Sequence, residues 1–463
     1  MLRSALVLMI LFPVLISAQD DRAGRWQGTL TVQGLNIDIL FHLTIGDAGW
    51  ECTMDVPLQG LKDFAATGVS VSGDSLEVNF GTIPAAYQGL FATDNQTIKG
   101  NWLQNGQVFP LNLERTEAGL TDSRPQEPRP PFPYQSVDIT FPSYADTTVV
   151  LAGTLTYPDG VESAPGVVLV SGSGPQDRNE EIMGHKPFLV LADYLTRRGI
   201  AVLRYDDRGV GASGGQRNTS TVADFAEDAH GALHYLRTQD LIQCRSAGVI
   251  GHSEGGMVAS ILGAQKVVDF IVTMAGPGTP IDELLVDQTL FMDKVAGHPD
   301  EAIKMDTSYA HNLYDLVKEA GEGELDLPVL RAMIEDYYHL SEFIRQQFPS
   351  LDQFTESQIQ LVSSPWFRHF VRFVPQDYFR QVTCPVLALN GSLDFQVPAE
   401  KNLRAIEQAL IEGPCVDFEI RQFPGLNHLF QPAQTGHLDE YARIPITIAP
   451  QVLETIADWI LKR

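Results

Sequence analysis

Two different hydrophobic patterns divide this chain. Between about residues 24 and 115, apolar and polar positions alternate in short segments separated by turn residues, a pattern typical of antiparallel strands. Seven strands are predicted there, at residues 26–32, 37–45, 49–56, 68–71, 75–80, 97–103 and 108–113. We therefore expect residues 19–122 to form a small antiparallel β-barrel or sandwich, for which the sequence suggests a stabilising or dimerising role.

Beyond residue 136 the pattern changes to continuous apolar strands that alternate with helices. After a leading antiparallel pair at 136–141 and 149–157, strands are predicted at 167–170, 201–205, 247–250, 270–275, 386–390 and 417–423, and helices at 187–197, 221–238, 256–264, 399–411 and 450–461. Strands of this kind form a mostly parallel sheet covered on both faces. Residues 136–463 are thus expected to be an α/β domain, whose ligands bind at the carboxyl ends of the strands.

Two segments interrupt this organisation. Five prolines within residues 125–133 predict a stiff extended linker at 123–135, which we take as the domain boundary. Residues 277–380 contain apolar positions at helical spacing and no strand pattern. Because this stretch lies between two strands of the sheet, it is expected to be a helical cap that folds over the strand ends.

The first eighteen residues have the features of a secretory signal peptide. One arginine precedes an apolar run at residues 5–16, and a small residue, Ala18, is followed by polar residues. A membrane anchor is the competing interpretation, but about twelve apolar residues fall short of the roughly twenty that a spanning helix needs. We expect cleavage after Ala18 and a secreted or periplasmic protein with no membrane span.

Composition narrows the possible partners and cofactors. The 463 residues include 58 Asp+Glu against 32 Lys+Arg, a formal net charge of -26, which argues against nucleic acid or an anionic membrane as a partner. No cysteine spacing resembles a zinc site, so no metal or cofactor is expected. The four cysteines allow three pairings, and both a Cys384–Cys415 bridge and buried free thiols remain open.

The strongest chemical motif is Gly251-His252-Ser253-Glu254-Gly255, between a predicted strand and a predicted helix. This is the G-x-S-x-G pattern of a nucleophile elbow, in which a serine is exposed on a sharp strand-to-helix turn. The flanking glycines are expected there because side chains at those positions would collide. Ser253 is therefore the predicted nucleophile.

A serine nucleophile requires a base and a group that orients the base. Asp394 follows the next-to-last predicted strand and His428 follows the last, so Ser253, Asp394 and His428 occur in the chain order that such a sheet requires. His437 ranks second as base. The other candidate, His252, is expected to point away from the nucleophile and serve packing.

The oxyanion hole needs two backbone N–H groups, one of them from the residue after the nucleophile. Glu254 supplies that group by position. The second is assigned to Ser173, in the loop Ser-Gly-Ser-Gly-Pro-Gln-Asp-Arg that follows a strand. Asp177 and Arg178 of this loop are expected to form an ion pair, and His185 either borders the pocket or caps the next helix.

These motifs resemble those of the α/β-hydrolase superfamily. The segments around Ser253, Asp394 and His428 are similar to its elbow, acid loop and histidine loop, and Ser-Gly-Ser-Gly-Pro-Gln-Asp-Arg-Asn-Glu with Tyr-Asp-Asp-Arg-Gly-Val-Gly-Ala-Ser resembles secreted bacterial esterases and S33-like serine aminopeptidases. The resemblance covers residues 136–463 and implies a small-molecule ester or short-peptide substrate. One departure is Ser171, where many members have histidine.

The expected function is therefore hydrolysis of carboxylic esters through an acyl-enzyme intermediate. One alternative keeps the triad and changes the reaction, to a serine aminopeptidase or an acyltransferase; an aminopeptidase would need a carboxylate for the substrate amine, such as Glu254, Glu283 or Asp287. The other alternative is a non-catalytic binding protein. The sequence leaves the oligomeric state open, a dimer included.

Overall fold

The computed structural model describes residues 20–32, 35–46, 49–59, 61–104, 106–116, 124–348 and 350–463. The predicted signal peptide and the start of the predicted linker lie outside these residues. The chain divides into two compact units. The first comprises residues 1–31, 37–56 and 61–119, and the second comprises residues 32–36, 57–60 and 120–463.

The first unit is built on one antiparallel sheet in the order β4-β3-β2-β1-β10-β8-β7-β6-β5, with β9 paired to β8. Its strands are β1 (Gly24–Val32), β2 (Leu35–Gly46), β3 (Gly49–Val56), β4 (Leu61–Ala65), β5 (Gly68–Ser72), β6 (Ser75–Phe80), β7 (Ala85–Phe91), β8 (Thr97–Gln104), β9 (Gln107–Pro110) and β10 (Leu113–Thr116). Aromatic side chains fill its core, where Phe41 meets the edge of Tyr87 at 5.3 Å. The predicted strand at 108–113 is wrong, because two separate strands, β9 and β10, lie there, and β4 and β7 were not predicted.

The second unit contains an eight-stranded sheet in the order β11-β12-β14-β13-β15-β16-β17-β18. These strands are β11 (Tyr134–Pro142), β12 (Val150–Pro158), β13 (Ser163–Val170), β14 (Ala201–Tyr205), β15 (Gln243–His252), β16 (Ile271–Met274), β17 (Val386–Gly391) and β18 (Phe418–Phe423). The sheet is mixed. Strand β12 pairs antiparallel with both β11 and β14. The remaining pairs, along β14-β13-β15-β16-β17-β18, are parallel. The parallel strands therefore end at one common edge.

Helices cover both faces of this sheet. Successive residues of β13 point to opposite faces, so Val168 belongs to the core under α2, α3 and α11, and Leu169 to the core under α1 and α13. The helices that flank the sheet strands are α1 (Pro187–Arg197), α2 (Val222–Thr238), α3 (Glu254–Ala264), α11 (Ala399–Glu412), α12 (Leu438–Tyr441) and α13 (Pro450–Ile460). Burial on both faces explains the unbroken apolar strands of the sequence.

Seven helices lie between β16 and β17. They are α4 (Ile281–Val295), α5 (Asp300–Ala320), α6 (Leu327–Leu340), α7 (Glu342–Gln347), α8 (Leu351–Ser363), α9 (Pro365–Val371) and α10 (Pro375–Phe379). They share an apolar core of their own around Leu313, Val317 and Ile334. Ser341 ends α6 and caps α7, with its Oγ accepting the Ile344 N–H at 3.2 Å.

Two expectations about the whole chain can be compared with the structure. Among the described residues, no helix combines the length and apolar character needed to cross a bilayer. All four cysteines are free thiols. Cys415 Sγ donates to the carbonyl oxygen of Cys384 at 3.3 Å, so the Cys384–Cys415 bridge is not formed.

Candidate active site

Ser253 lies at the sharp turn between β15 and α3, with φ of 51° and ψ of -117°. A positive φ is uncommon for a residue other than glycine and marks a constrained backbone. A Cβ at Gly251 would lie 2.0 Å from the Gly255 carbonyl oxygen, and a Cβ at Gly255 would lie 2.2 Å from the Val170 carbonyl oxygen. The predicted steric reason for these glycines is thus confirmed.

Asp394 and His428 lie on the loops after the neighbouring parallel strands β17 and β18. His428 Nδ1 is 2.8 Å from Asp394 Oδ2, and both side chains are almost wholly buried. The other carboxylate oxygen, Asp394 Oδ1, accepts the backbone N–H groups of Gln396 and Val397 at 2.9 Å each. These bonds hold the carboxylate rigidly and orient the imidazole so that Nε2 remains available.

The side chains of Ser253 and His428 are not hydrogen-bonded to each other. Within the described part of the chain, neither Ser253 Oγ nor His428 Nε2 has a hydrogen-bond partner. His252, the residue before Ser253, joins the two segments: its Nε2 is 3.1 Å from the His428 carbonyl oxygen and its ring centroid is 4.8 Å from that of His428. Such serine–histidine contacts often tighten only when substrate binds.

Within the described residues, no loop or turn hydrogen bond between backbone groups involves the N–H of Glu254 or of Ser173. The neighbouring Gly172 N–H donates to Glu180 Oε1 at 2.7 Å, so it is already committed.

The loop that carries Ser173 is held by the loop after β14. Asp207 accepts hydrogen bonds from the Ser171 hydroxyl at 2.7 Å and from the Gln176 N–H at 3.2 Å, and it pairs with Arg217 at 2.9 Å. Burial raises the pKa of Asp207 to about 6, against the opposing effect of Arg217. Ser171 thus anchors the loop through its side chain.

The expected ion pair between Asp177 and Arg178 is not formed. Arg178 instead pairs with Asp206 through two side-chain bonds of 2.9 and 2.8 Å. Asp177 accepts the backbone N–H groups of Asn179 and Glu181, as a short polar side chain in a turn does. The prediction was wrong because Asp206, directly after β14, is better placed to pair with Arg178 than the adjacent Asp177 is.

The side chain of Glu254 is buried beside Ser253. Its Oε1 accepts the indole N–H of Trp366, from α9, at 2.7 Å, and its Oε2 lies 3.7 Å from Arg217. Burial raises the pKa of Glu254 to about 7, and the Trp366 hydrogen bond and the Arg217 charge oppose that rise. The carboxyl group is thus already engaged by one hydrogen bond and one ion pair.

The other histidines considered from the sequence occupy distinct places. His437 packs edge-on against Phe291 and Phe395 at 5.8 and 5.9 Å, in an apolar environment away from the Asp394 carboxylate oxygens. His185 is fully buried and bonds to Thr447 and the Tyr441 carbonyl, so it neither borders a pocket nor serves only as a cap. Burial lowers the pKa of His185 to about 4, so it is neutral at physiological pH.

Two cavities flank these loops. An apolar cavity of about 200 Å³ is lined by Phe291, Met292, Phe395 and Tyr441, and so lies beside the acid loop. A larger cavity of about 1040 Å³ is lined by Gly174 and Pro175 of the Ser173 loop, by Arg217 and by residues of α8 and α9 including Trp366. Its lining mixes polar and apolar side chains.

Three residues near the site were not identified from the sequence: Glu180, Arg217 and Trp366. Glu180 ends the quoted segment Ser-Gly-Ser-Gly-Pro-Gln-Asp-Arg-Asn-Glu but was given no role there, and Trp366 is 112 positions beyond the glutamate that it contacts. Two groups of side chains could hold a cation by composition, His42 with Asp55 and Asp63, and Asp293 with His298 and Asp306. Neither group includes a residue of the predicted triad.

An elbow serine and a carboxylate–histidine pair on successive parallel strands of a helix-covered sheet define the α/β-hydrolase arrangement. Residues 186–298 match the family described as serine aminopeptidase, S33. Among curated proteins, Esterase EstD of Thermotoga maritima is 24% identical over 385 residues, which cover 81% of each chain.

Two solved structures also align with this chain. The Pyrococcus furiosus esterase Pf2001 aligns with a TM-score of 0.42 and 16% identity, over 71% of this chain and 93% of that one. Proline iminopeptidase of Mycobacterium smegmatis aligns with a TM-score of 0.41 and 16% identity, over 70% and 98% of the two chains. The family match and the curated esterase relative confirm the predicted resemblance to esterase-like α/β-hydrolases.

Proposed function

We propose that this chain is a serine hydrolase that cleaves carboxylic esters through an acyl-enzyme intermediate. The observation that carries the proposal is the 2.8 Å bond between the buried side chains of Asp394 and His428. These residues lie on the loops that follow β17 and β18, at the same edge of the sheet as the sharp turn at Ser253. The similarity to an esterase and to the S33 family supports the same reaction class.

In the proposed reaction, Ser253 Oγ attacks the ester carbonyl carbon and its proton passes to His428 Nε2. The carbon–oxygen bond to the alcohol then breaks, and His428 returns the proton to the leaving alkoxide. Water repeats the sequence on the acyl-enzyme and releases the carboxylic acid. Asp394 stays ionised throughout and holds the proton of His428 on Nδ1.

The N–H groups of Glu254 and Ser173 are proposed to bind the oxyanion of each tetrahedral intermediate. A preorganised donor of this kind contributes roughly 3 kcal/mol to the transition state. The commitment of the Gly172 N–H to Glu180 supports Ser173 as the donor from its loop.

Charge pairing favours an ester over a substrate with a free amino terminus. An aminopeptidase needs a carboxylate left free to bind the substrate ammonium group. Of the three candidates, Glu254 receives the Trp366 N–H and faces Arg217, while Lys401 lies 2.7 Å from Asp287 and 3.6 Å from Glu283. All three carboxylates are thus engaged by groups of the protein itself.

The two remaining alternatives are weaker for different reasons. An acyltransferase would use the same triad with an acceptor other than water, and no observation favours that acceptor. A binding protein on the same fold would not need the buried Asp394–His428 pair, which takes two polar groups out of water.

We further propose that helices α4–α10 act as a cap over the site. Two hydrogen bonds support this: Trp366 donates to Glu254, adjacent to the nucleophile, and Gln288 donates to the Gln396 carbonyl at 2.6 Å, two residues from Asp394. Phe291 also stacks on Phe395 with ring centroids 3.8 Å apart. The cap would bound the apolar cavity and so select the acyl or alcohol group.

The mechanism is tested with p-nitrophenyl esters from acetyl to long acyl, beside aminoacyl p-nitroanilides and a fluorophosphonate. We expect ester turnover that fluorophosphonate labelling of Ser253 abolishes, and we expect Ser253→Ala to remain folded but inactive. Retained turnover in that variant would contradict the mechanism. Dominant anilide cleavage would favour a peptidase, and absence of labelling would favour a binding protein.

Export is proposed from residues 1–18 alone. Expression of the full chain in a Gram-negative host and amino-terminal sequencing of the periplasmic product provide the test. We expect the product to begin at Gln19, whereas an uncleaved, membrane-associated protein would indicate an anchor.

A further inference from the structure

Glu180 combines three features that are unfavourable for stability. Its backbone has a φ of 52°, although it is not glycine. Its side chain is 4% exposed, and within the described residues its Oε2 has no hydrogen-bond partner. Strain, burial of a charge and an unpaired oxygen in one residue indicate that the side chain is held in place for a purpose other than stability.

The contacts of the other carboxylate oxygen indicate that purpose. Glu180 Oε1 accepts the Gly172 N–H at 2.7 Å and lies 2.8 Å from His252 Nδ1. These groups meet beside the nucleophile, since a Cβ built on Gly172 would lie 3.2 Å from Ser253 Cβ and 3.4 Å from Glu180 Oε1. One oxygen atom therefore connects the loop of the proposed oxyanion donor to the strand that carries the nucleophile.

The partners of His252 determine its protonation. Nδ1 faces a carboxylate oxygen, and Nε2 faces the His428 carbonyl oxygen at 3.1 Å. When Glu180 is ionised both partners accept hydrogen bonds, so the ring donates from both nitrogens, as only the imidazolium form can. Burial lowers the pKa of His252, but the Glu180 charge and hydrogen bond more than offset this, so the net direction is upward.

We infer that Glu180 and His252 are positioning residues for catalysis: one buried ion pair fixes the loop before Ser173 relative to Ser253 and to the backbone of His428. The inference rests on the proposed function. Through Gly172, Glu180 orients the peptide unit that precedes the Ser173 N–H. Through His252, the same carboxylate sets the position of the loop that carries the general base.

The test compares Glu180→Ala with a matched control, Asp55→Ala, in the first unit. Asp55 also accepts one backbone N–H, from Asp63 at 2.7 Å, and pairs with one histidine, His42, at 2.9 Å. We expect Glu180→Ala to lower kcat for ester hydrolysis about 100-fold with KM little changed, as for an oxyanion donor displaced by a fraction of an ångström. Asp55→Ala should leave kcat within about twofold of wild type.

Glu180→Gln separates hydrogen bonding from charge, because its amide oxygen still accepts the Gly172 N–H. We expect it to recover part of the lost kcat, and we expect affinity for a trifluoromethyl ketone, which forms a tetrahedral adduct, to fall in parallel with kcat. His252→Gln, which cannot form the ion pair, should likewise lower kcat with KM little changed.

Wild-type kcat and ketone affinity in both Glu180 variants, with changes confined to thermal stability, would overturn the inference. So would a wild-type kcat in His252→Gln. Turnover that survives Ser253→Ala would instead overturn the proposed function, so the two failures can be told apart.

Discussion

Glu254 is a residue whose backbone and side chain have separate roles. Its N–H is the proposed oxyanion donor, a role that follows from its position after Ser253 whatever its side chain. Its carboxylate is buried between Trp366 and Arg217. Because burial raises its pKa to about 7 from an ordinary value of 4.5, the folded protein binds a proton there more tightly than the unfolded chain does.

This difference predicts a pH-dependent effect of Glu254→Gln, which keeps an oxygen for the Trp366 N–H. Stability of the wild type should fall as pH rises from about 4.5 to 7, because the ionised form is disfavoured only in the folded state. The variant lacks that penalty, so its advantage should grow to at most about 3 kcal/mol above pH 7. Denaturant unfolding at pH 5 and pH 8 measures it, and an equal difference at both pH values would contradict the prediction.

Among single residues, the predicted triad and Ser173 all lie on loops at the carboxyl edge of the parallel strands. They could be found from the sequence because each follows a recognisable strand or motif. Glu180 and His252 could not be given a role in this way. His252 was expected only to pack, since its two hydrogen-bond partners are 72 positions before and 176 positions after it.

At the scale of elements, strands with a regular alternation of apolar and polar residues were predictable. Strands built from residues of low strand propensity were not. The strand β7 contains Ala85, Ala86 and Gly89, which have low strand propensity. Gly89 fits there because a Cβ would lie 2.7 Å from Ile98 Cγ2 on the neighbouring strand. Packing across the sheet, which no local pattern records, decides that this segment is a strand.

The strand–helix junction at the elbow predicts a strong contrast between two glycines of α3. In Gly255→Ala the new methyl would collide with the Val170 carbonyl oxygen at 2.2 Å, a backbone atom that cannot move aside. We expect a loss of at least about 2 kcal/mol of unfolding free energy and no ester turnover. Gly263→Ala, on the same helix, meets only side-chain atoms of Val382 and Ile271, at 3.0 Å or more, and gains helix propensity.

Urea unfolding and ester turnover of the two variants provide the comparison. The unfolding free energy of Gly263→Ala should exceed that of Gly255→Ala by at least about 2 kcal/mol. Gly263→Ala should also retain ester turnover. An active, stable Gly255→Ala would mean that α3 can withdraw from β13 without loss, contrary to the close approach of their backbones.

At the scale of the second unit as a whole, one hydrogen bond connects the inserted helices to the nucleophile loop. Trp366 donates to a buried carboxylate, and a buried acceptor that loses its donor costs about 1–3 kcal/mol. Trp366→Phe should therefore loosen helices α4–α10 and lower kcat/KM for long-chain esters more than for acetyl esters. Limited proteolysis and the ester series measure the two effects.

Tyr309→Phe is the control for that prediction. It removes the 3.2 Å bond from the Tyr309 hydroxyl to Gln358, which lies within the inserted helices and does not involve Glu254. It should leave the chain-length profile unchanged. A profile altered equally by both variants would indicate general loosening of these helices rather than loss of the bond to Glu254.

The sequence by itself determined the class of fold, the order of nucleophile, acid and base, and the elbow glycines. These are encoded locally, in hydrophobic periodicity and in steric demands within a few residues of Ser253. Only the tertiary structure decided three contacts. Trp366 donates to Glu254, Arg178 pairs with Asp206 and not with Asp177, and Glu180 pairs with His252. Each of these joins side chains far apart in the chain, and their geometry depends on how strands, loops and helices pack, which no segment specifies alone.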